Sequence, residues 1–411
     1  MTRPSARVPS GAPVLDRRAL NRALLARQWL LERQSRSAAD ALDHLVGLQS
    51  QNPGDPYTAL WSRLAGFRPV ELSRLVTDRA VVRTPTLRTT IHLVAADDAL
   101  RLRAFSRPVI ERGFWTGSPF GRRVTGMDLE RLLAAGRAFV ETEPAPVSTI
   151  AAHLGGQWPD RDPVSMAYAI RSLVPLVQVP PRGTWGASHQ ATWTTTERWL
   201  GRSVPAATSA EDDAAVVRRY LAAFGPASVR DVQAWSWRTQ LRPVVERLRP
   251  GLRVFRDASG RELFDLPEAP RPDPDTPAPP RFLPEFDNLL LSHADRTRVM
   301  EPAWRGRLWR RGAFLIDGSL AGAWVLRRER GSTTLVAEAF ARMKRADEAA
   351  LLAEADALVR FQTADADGNE RDGGRLAIRL VRADGTEERR SVDASPSPSG
   401  VAIETSIPVT P

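Results

Sequence analysis

Two glutamines, Gln49 and Gln51, stand on either side of Ser50 in an otherwise apolar stretch. An amide oxygen can accept a hydrogen bond from a water molecule, and an amide nitrogen can donate one to a phosphate or a base. Asn52-Pro53 follows, and the residue before a proline is pushed out of the helical region. We therefore predict that the two amides lie where a helix ends. Polar helix ends are also common on ordinary solvated surfaces, so the pattern alone leaves both interpretations open.

Two amphipathic segments flank the glutamines and would have to position them. Apolar residues recur at helical spacing on both sides, which predicts helices over 37–50 and 56–65. A further helix over 70–77 precedes a segment, 80–94, that has β-branched residues around a Thr-Pro-Thr turn and therefore predicts a β-hairpin. Helices followed by such a hairpin describe a winged helix, which we place at 14–105.

The same order of elements recurs twice along the chain. Residues 106–205 repeat helices followed by a hairpin, and so do residues 206–266, whose hairpin turn is predicted at 257–260. The sequence thus predicts a mainly α protein with small β elements, in which three tandem winged-helix domains form a C-shaped arrangement.

The composition changes after the third unit. Residues 267–280 are rich in proline and acid, which predicts a linker that does not pack. Short apolar runs punctuated by glycines then predict a small C-terminal β-barrel over 281–363, closed by a helix over 346–361. The remainder, 364–411, is predicted to be a partly disordered tail with one accessory hairpin.

The charge balance favours a polyanionic partner. Lysine and arginine number 58 against 48 aspartates and glutamates, a net charge of +10, and Lys344 is the only lysine. Arginine suits bidentate phosphate contacts, although a GC-rich coding bias would enrich it as well. The chain has no cysteine, its five histidines lack ligand spacing, and no apolar run could span a bilayer. We therefore expect no metal site and no membrane partner.

Three further groups of polar residues lie on or beside predicted hairpins, where they could contact phosphates or bases. They are Arg83, Arg88, Thr89, Thr90 and His92 in the first unit, Arg182, Trp185 and His189 in the second, and Asn288, His293 and Arg296 at the start of the C-terminal domain. The alternatives are an ordinary polar strand face for the first group and a buried tryptophan with solvated neighbours for the second.

Four stretches of the sequence, 16–22, 45–51, 88–94 and 283–296, resemble the AlkZ/YcaQ-type bacterial DNA glycosylases, and the similarity continues from about residue 15 to about residue 362. The resemblance implies tandem winged helices with a C-terminal β-barrel, and a catalytic Gln-x-Gln motif at Gln49 and Gln51. This motif is typical of the AlkZ branch, which usually has a bulky apolar residue between the glutamines. Ser50 departs from that pattern and bears on lesion preference.

The resemblance implies hydrolysis of the N-glycosidic bond of alkylated purines in double-stranded DNA, chiefly N7-alkylguanine, with bulky adducts or interstrand crosslinks as further substrates. Gln49 and Gln51 would position the attacking water, without a cofactor. The activity would serve base excision repair or self-resistance to a DNA-alkylating natural product. A lyase reaction would need a nucleophilic amine, and Lys344 lies far downstream, so we expect a monofunctional glycosylase. We also expect a monomer, cytoplasmic and associated with the nucleoid.

Two binding functions remain as alternatives. Winged helices occur widely in transcriptional regulators, and a fold does not fix a function. A DNA-binding regulator without catalytic activity, or an inert binder of DNA junctions, would also fit tandem winged helices and a positive charge.

Overall fold

A computed structural model describes residues 11–369 and 374–392 of the chain. The helices are α1 (Arg17–Arg27), α2 (Ala38–His44), α3 (Asp55–Arg63), α4 (Pro69–Thr77), α5 (Ala96–Gly117), α6 (Pro119–Arg123), α7 (Leu129–Thr142), α8 (Val147–Gln157), α9 (Pro163–Leu173), α10 (Thr196–Leu200), α11 (Ala210–Phe224), α12 (Val229–Ser236), α13 (Arg242–Leu248), α14 (Asn288–Leu291) and α15 (Arg345–Thr363). The strands are β1 (Val14–Leu15), β2 (Leu48–Gln49), β3 (Val81–Pro85), β4 (Ile91–Ala95), β5 (Ala145–Pro146), β6 (Leu176–Gln178), β7 (Thr192–Thr195), β8 (Arg253–Asp257), β9 (Glu262–Asp265), β10 (Arg281–Leu283), β11 (Gly312–Ile316), β12 (Ser319–Glu329), β13 (Ser332–Ala339), β14 (Arg375–Val381) and β15 (Glu387–Val392).

The second helix is shorter than the sequence predicts, and this changes the setting of the glutamines. A helix over 37–50 was expected, but α2 ends at His44 and Leu48–Gln49 form strand β2. The chain reverses at Gly47, where φ is +84° and an added Cβ would lie 2.9 Å from the backbone oxygen of Leu93. Only glycine fits this close approach in a left-handed conformation. The glutamine motif therefore follows an extended strand and is not the end of a helix.

The hairpins of the first two units belong to one sheet. Its strand order is β2-β4-β3-β6-β7-β5, and Arg83 of β3 lies opposite Gln178 of β6. The expected hairpins are present at β3–β4 and β6–β7, but strand pairing between them joins the first unit to the second. This shared sheet gives the glutamine motif a rigid support.

The third group of helices, α11 to α13, packs around a large aromatic core. Tyr220, Phe224 and Trp235 are each at most 1% exposed, and their ring centroids lie 5.0 to 6.0 Å apart. Serine N-caps fix the starts of α11 and α12, as the sequence predicts. Strands β8 and β9 form the following hairpin, and β1 from the start of the chain pairs parallel to β8.

The predicted linker packs against α1. Arg22 Nε donates to the backbone oxygen of Thr276 at 2.7 Å, and Arg18 Nε donates to that of Pro274 at 2.7 Å. The expectation that 267–280 does not pack was wrong, because arginines of α1 satisfy backbone carbonyls that the prolines leave without strand or helix partners.

The C-terminal strands pair in the linear order β10-β11-β12-β13-β14-β15. Within the described residues no pairing of β10 with β15 closes this sheet, so the predicted β-barrel is not confirmed. The apolar run at 289–291, expected as a strand, is the short helix α14, which Asp287 caps by accepting from the Leu289 amide.

Part of the predicted tail belongs to this sheet. Strand β14 pairs parallel to β13 along seven residues, and its Ile378 and Leu380 are 2% and 0% exposed in the core. The predicted hairpin is present, because β14 and β15 pair antiparallel, but it is integral to the sheet and not accessory. The rest of the predicted disorder, at 370–373 and 393–411, lies outside the described residues. The four domain boundaries stay predictions.

Candidate active site

Strand β2 places Gln49 beside strand β4, and Gln51 lies in the bend that follows β2. Gln49 pairs with His92 of β4, and the ladder continues one residue further because the Ser50 amide donates to the Ile91 oxygen at 2.8 Å. Successive side chains of an extended chain point to opposite faces, so Gln49 and Ser50 lie on opposite sides of the sheet. Gln51 lies beyond the strand, and its side chain is held by the Ile91 amide of β4. We call the surface formed by Gln49 and Gln51 the glutamine face, and the side of Ser50 the Ser50 face.

Gln49 is held by a buried guanidinium. Its side chain is 8% exposed, and its Oε1 accepts from Arg88 Nη2 at 2.8 Å. Arg88 Nη1 donates to the backbone oxygen of Trp235 at 2.7 Å, so a single guanidinium connects the motif to α12. Burial, and then the charge of Arg296, lower the pKa of Arg88 to about 10. Arg88 therefore remains charged at neutral pH.

His92 completes this network as a neutral ring. Its Nε2 lies 3.2 Å from Arg88 Nη2, which can only donate, so Nε2 accepts. Its Nδ1 therefore carries the proton and donates to the backbone oxygen of Thr90 at 3.1 Å. Burial, and then the charge of Arg88, lower the pKa of His92 to about 3. The histidine consequently orients Arg88 and has no free nitrogen for a phosphate.

Gln51 is exposed, in contrast to Gln49. Its Oε1 accepts from the Ile91 amide at 3.1 Å. Within the part of the chain that the structure describes, neither glutamine uses its Nε2 in a hydrogen bond to protein, and each Oε1 retains a second lone pair. Each amide is thus anchored through its oxygen and presents unused donors. The acceptor of Gln51 faces only a neutral backbone N–H, whereas that of Gln49 faces a cation.

The Ser50 face is closed by Arg83. Ser50 is fully buried, its Oγ accepts from Arg83 Nε at 3.1 Å and its backbone oxygen accepts from Nη2 at 2.6 Å. Gly183 has a φ of +100°, and a Cβ there would lie 2.8 Å from Arg83 Cδ. The loop after β6 thus needs glycine to leave room for Arg83. A bulky apolar residue at position 50 would have to displace this guanidinium.

Two buried polar atoms behind Ser50 have no hydrogen-bond partner, Arg83 Nη1 and Asp55 Oδ2. Burial, and then the charge of Glu285, raise the pKa of Asp55 to about 8, while burial and then Arg182 lower the pKa of Arg83 to about 9. Asp55 also lines a cavity of about 1110 Å³ bounded by residues 52–58, the loop 182–188 and the C-terminal sheet. Sequence reasoning missed Asp55, whose helix-start position looks like that of any solvated N-terminal acid.

Residues 42–361 of the chain match the family model of AlkZ-like DNA glycosylases. The chain belongs to this family. It is a DNA glycosylase, and its substrate is DNA. Among solved structures, Streptomyces sahachiroi DNA glycosylase AlkZ is similar in fold, with a TM-score of 0.68 at 21% identity, over 90% of this chain and 100% of that chain. No curated protein sequence matches the chain. Within the described residues, no helix is long and apolar enough to cross a membrane.

In this AlkZ-like glycosylase, most first-unit residues predicted to contact DNA are turned inward. Arg83, Arg88 and His92 are at most 6% exposed, and their donors serve the glutamine motif and neighbouring backbone. Thr90 is half-buried and donates to a backbone oxygen, and only Thr89 is exposed. The buried side chains cannot reach a phosphate in this conformation, so their geometry is that of positioning residues.

The second-unit residues are divided between support and surface. Trp185 Nε1 donates to the backbone oxygen of Ala364 at 3.1 Å, and its ring lies 4.9 Å from that of Tyr57. Arg182 is half-buried, donates to the backbone oxygen of His189 at 2.6 Å, and His189 itself is exposed. Trp185 therefore anchors the loop to the C-terminal domain, but it is half-buried, whereas the alternative interpretation expects a buried tryptophan.

The C-terminal group is also mostly buried. Asn288 Nδ2 donates to the backbone oxygen of Gly47 at 2.7 Å and so holds the turn before β2. His293 is 2% exposed between the backbone oxygen of Phe224 and Ser292 Oγ, and burial lowers its pKa to about 3. Both residues support the fold around the motif from behind.

Arg296 differs from its neighbours. It is half-buried, its Nε has no partner, and within the described residues its side chain makes no hydrogen bond or ion pair. Burial, and then the charge of Arg305, lower its pKa to about 10, and its own charge acts on Arg88. Arg296 is therefore an uncompensated cation close to the glutamine face.

Proposed function

We propose that this AlkZ-like glycosylase hydrolyses the N-glycosidic bond of alkylated purines in duplex DNA, chiefly N7-alkylguanine. The observation that supports it is the pair of neighbouring amides at Gln49 and Gln51, which are anchored by their oxygens to Arg88 and to the Ile91 amide and keep their Nε2 donors unused within the described residues. We propose both residues as catalytic. Because both residues are amides and neither is a carboxylate, the pair suits substrates whose base already carries a positive charge and leaves as a neutral molecule.

The two amides have different roles in this proposal. The transition state resembles an oxocarbenium ion, and the attacking water must be oriented toward the sugar carbon. Gln51 Oε1 has a free lone pair and only a neutral donor, so it accepts from this water. Gln49 Oε1 already accepts from charged Arg88, which makes it a weaker acceptor. Its free Nε2 instead donates to an oxygen of the DNA backbone beside the damaged nucleotide.

Arg296 supplies a phosphate contact at the same face. A half-buried guanidinium without a carboxylate partner is unfavourable in the free protein, and a DNA phosphate would compensate its charge. The other predicted DNA contacts that remain at least partly exposed are Thr89, Thr90, Arg182, Trp185 and His189. The remaining predicted contacts act indirectly, by holding the glutamine motif.

Bulky N7 adducts and interstrand crosslinks are a second class of substrate in this proposal. Gln51 is exposed, so the glutamine face has no closed base pocket around it. Such a face can act on a nucleotide that carries a large substituent. The activity would serve base excision repair, or self-resistance to an alkylating natural product.

Strand cleavage tests the proposal against the regulator alternative. The protein is incubated with a duplex that contains 7-methylguanine, and the DNA is then treated briefly with mild alkali, which cuts at abasic sites, while the same duplex without protein gives the background from 7-methylguanine itself. We expect cleavage at the modified guanine and none at unmodified guanine. The matched control is the Gln49→Ala/Gln51→Ala protein on the same duplex. Equal, background-level cleavage by the two proteins would favour a DNA-binding regulator.

A further inference from the structure

An exposed tryptophan, Trp237, lies next to the glutamine face, and its ring does not contribute to packing. Trp237 is 52% exposed, and within the described residues its ring has no aromatic or cationic neighbour and its Nε1 has no hydrogen bond. Large aromatic side chains normally bury most of their area. The sequence gives no signal for it, since Trp235 and Trp237 look equivalent there, yet Trp235 is 1% exposed in the core.

The backbone around Trp237 is fixed on both sides. The Trp235 oxygen accepts from Arg88 Nη1, the same guanidinium that holds Gln49. On the other side, Arg238 forms a bidentate ion pair with Asp213 at 2.6 and 2.7 Å. Two residues of extended chain span at most about 7 Å, so Trp237 is tethered close to the Gln49 network.

Trp237 also has a backbone conformation that is unfavourable for a tryptophan. It ends α12 with φ of 60° and ψ of 4°, the left-handed region. Glycine is the residue that adopts this conformation without steric cost, and it is the common choice after a helix. A tryptophan that is both strained and exposed indicates a function for the ring.

The surface around this ring suits DNA. Arg112 is exposed and donates from Nη2 to the Trp237 backbone oxygen at 3.2 Å. The next residue of α5, Gly113, packs against exposed Thr89, with 3.3 Å between its Cβ position and Thr89 Cγ2. Trp237, Arg112 and Thr89 thus form one exposed patch that reaches Arg88 and the glutamine face.

We propose that Trp237 stacks on a DNA base next to the alkylated nucleotide and so contributes to recognition of the damaged site. The proposal rests on the proposed glycosylase function. Adjacent bases are about 3.4 Å apart along a strand, so a ring that two residues of backbone tether to the Gln49 network can reach a base beside the reacting nucleotide. A base next to an alkylated guanine is also easier to unstack than one in an intact duplex, which makes such a contact lesion-dependent.

Replacement of the ring by glycine separates its role from folding. Trp237→Gly removes the indole and relieves the left-handed strain, so we expect unfolding at the parental temperature or above. Trp237→Phe keeps an aromatic ring. Affinity is measured for two duplexes that differ only at one nucleotide, guanine in one and 2′-fluoro-7-methylguanine in the other. The fluorine destabilises the oxocarbenium ion, so the bound lesion stays intact during the measurement.

The expected result is a loss of lesion preference. The ratio of the two dissociation constants should fall about tenfold for Trp237→Gly, the scale of one stacked base, and stay within about threefold of parental for Trp237→Phe. Val164→Ala removes an exposed apolar side chain from α9 and should leave the ratio unchanged.

An unchanged ratio for Trp237→Gly, with parental excision intact, would overturn the role of Trp237 alone. An equal loss for Trp237→Phe or Val164→Ala would overturn it as well, because stacking by the ring would not be the cause. Absence of excision by the parental protein would overturn the proposed function and this inference together.

Discussion

The glutamine face and the Ser50 face differ in how completely their buried polar side chains are hydrogen-bonded. On the glutamine face, Arg88 has an acceptor for each of its two Nη atoms, and Gln51 reaches solvent. On the Ser50 face, Arg83 and Asp55 are buried with unpaired polar atoms and shifted pKa values. The difference indicates that Gln49 is held by a guanidinium whose Nη atoms are both hydrogen-bonded, whereas the Ser50 face contains a buried acid and a buried arginine with unpaired atoms.

The largest effect is expected from the glutamine face itself. Gln49→Ala/Gln51→Ala should lower the single-turnover excision rate of 7-methylguanine roughly 10²–10⁴-fold with a much smaller change in DNA affinity, since Gln51 acts on the attacking water and Gln49 contributes a single neutral hydrogen bond to the DNA backbone. Gln51→Asp should retain measurable activity, because a carboxylate accepts from Ile91 and from water together. Excision by the double variant at the parental rate would refute the catalytic assignment.

The two single alanine variants should differ in their free energy of unfolding. Gln51 is exposed, so Gln51→Ala should change the free energy of unfolding by no more than about 0.5 kcal/mol. Gln49→Ala leaves buried Arg88 with one acceptor fewer and should cost about 1–3 kcal/mol. Chemical denaturation measures both. Equal stabilities would show that Arg88 does not depend on Gln49.

A substitution of Arg88 tests whether the buried network on the glutamine face orients Gln49. Arg88→Met deprives the Trp235 oxygen and Gln49 Oε1 of their donor, so we expect a loss of about 2–4 kcal/mol in unfolding free energy and slower excision. Arg36→Met, which removes an exposed arginine before α2, is the matched control and should stay within about 0.5 kcal/mol. Full activity of Arg88→Met would mean that Gln49 needs no orientation by this network.

The pH dependence of stability tests whether Asp55, on the Ser50 face, is protonated in the folded protein. Folding raises the pKa of this carboxyl from 3.8 to about 8, so the stability that the buried, protonated form contributes is complete below pH 4 and is lost as the pH rises to 8. Asp55→Asn stays neutral. Its melting temperature should exceed the parental value by a margin that widens between pH 5 and 8 and then levels off.

Asp97→Asn, at an exposed carboxylate, provides the control for this pH series. Its margin over the parental protein should not widen across the same range. A constant margin for Asp55→Asn would show that Asp55 is ionised in the folded protein and has a partner.

The smallest effect is expected from Ser50. Ser50→Ala removes one acceptor of Arg83 but keeps the backbone contact, so it should cost about 1 kcal/mol and leave excision within about threefold. Ser50→Leu should destabilise more, because leucine must displace Arg83. If Ser50→Leu is as stable as Ser50→Ala, the buried space around Arg83 is looser than the structure indicates.

The sequence was sufficient wherever a local signal decides the structure. Ser37 and Asp16 begin helices because their side chains cap the first turn, and α11 and α12 begin at serines for the same reason. The proposal of Gln49 and Gln51 as the catalytic pair also came from local sequence, since the two residues were chosen by residue type and by a resemblance carried in short motifs.

Only the tertiary structure decided how that pair is presented. The apolar spacing before Gln49 is equally compatible with a longer helix, and pairing with β4, more than 40 residues away, makes it a strand. Arg88 was expected at the surface, but it is buried, because its Nη1 donates a hydrogen bond to the backbone oxygen of Trp235. The predicted tail joins the core because β14 pairs parallel to β13. These outcomes depend on partners distant in the chain, and local patterns of charge and hydrophobicity carry no information about such partners.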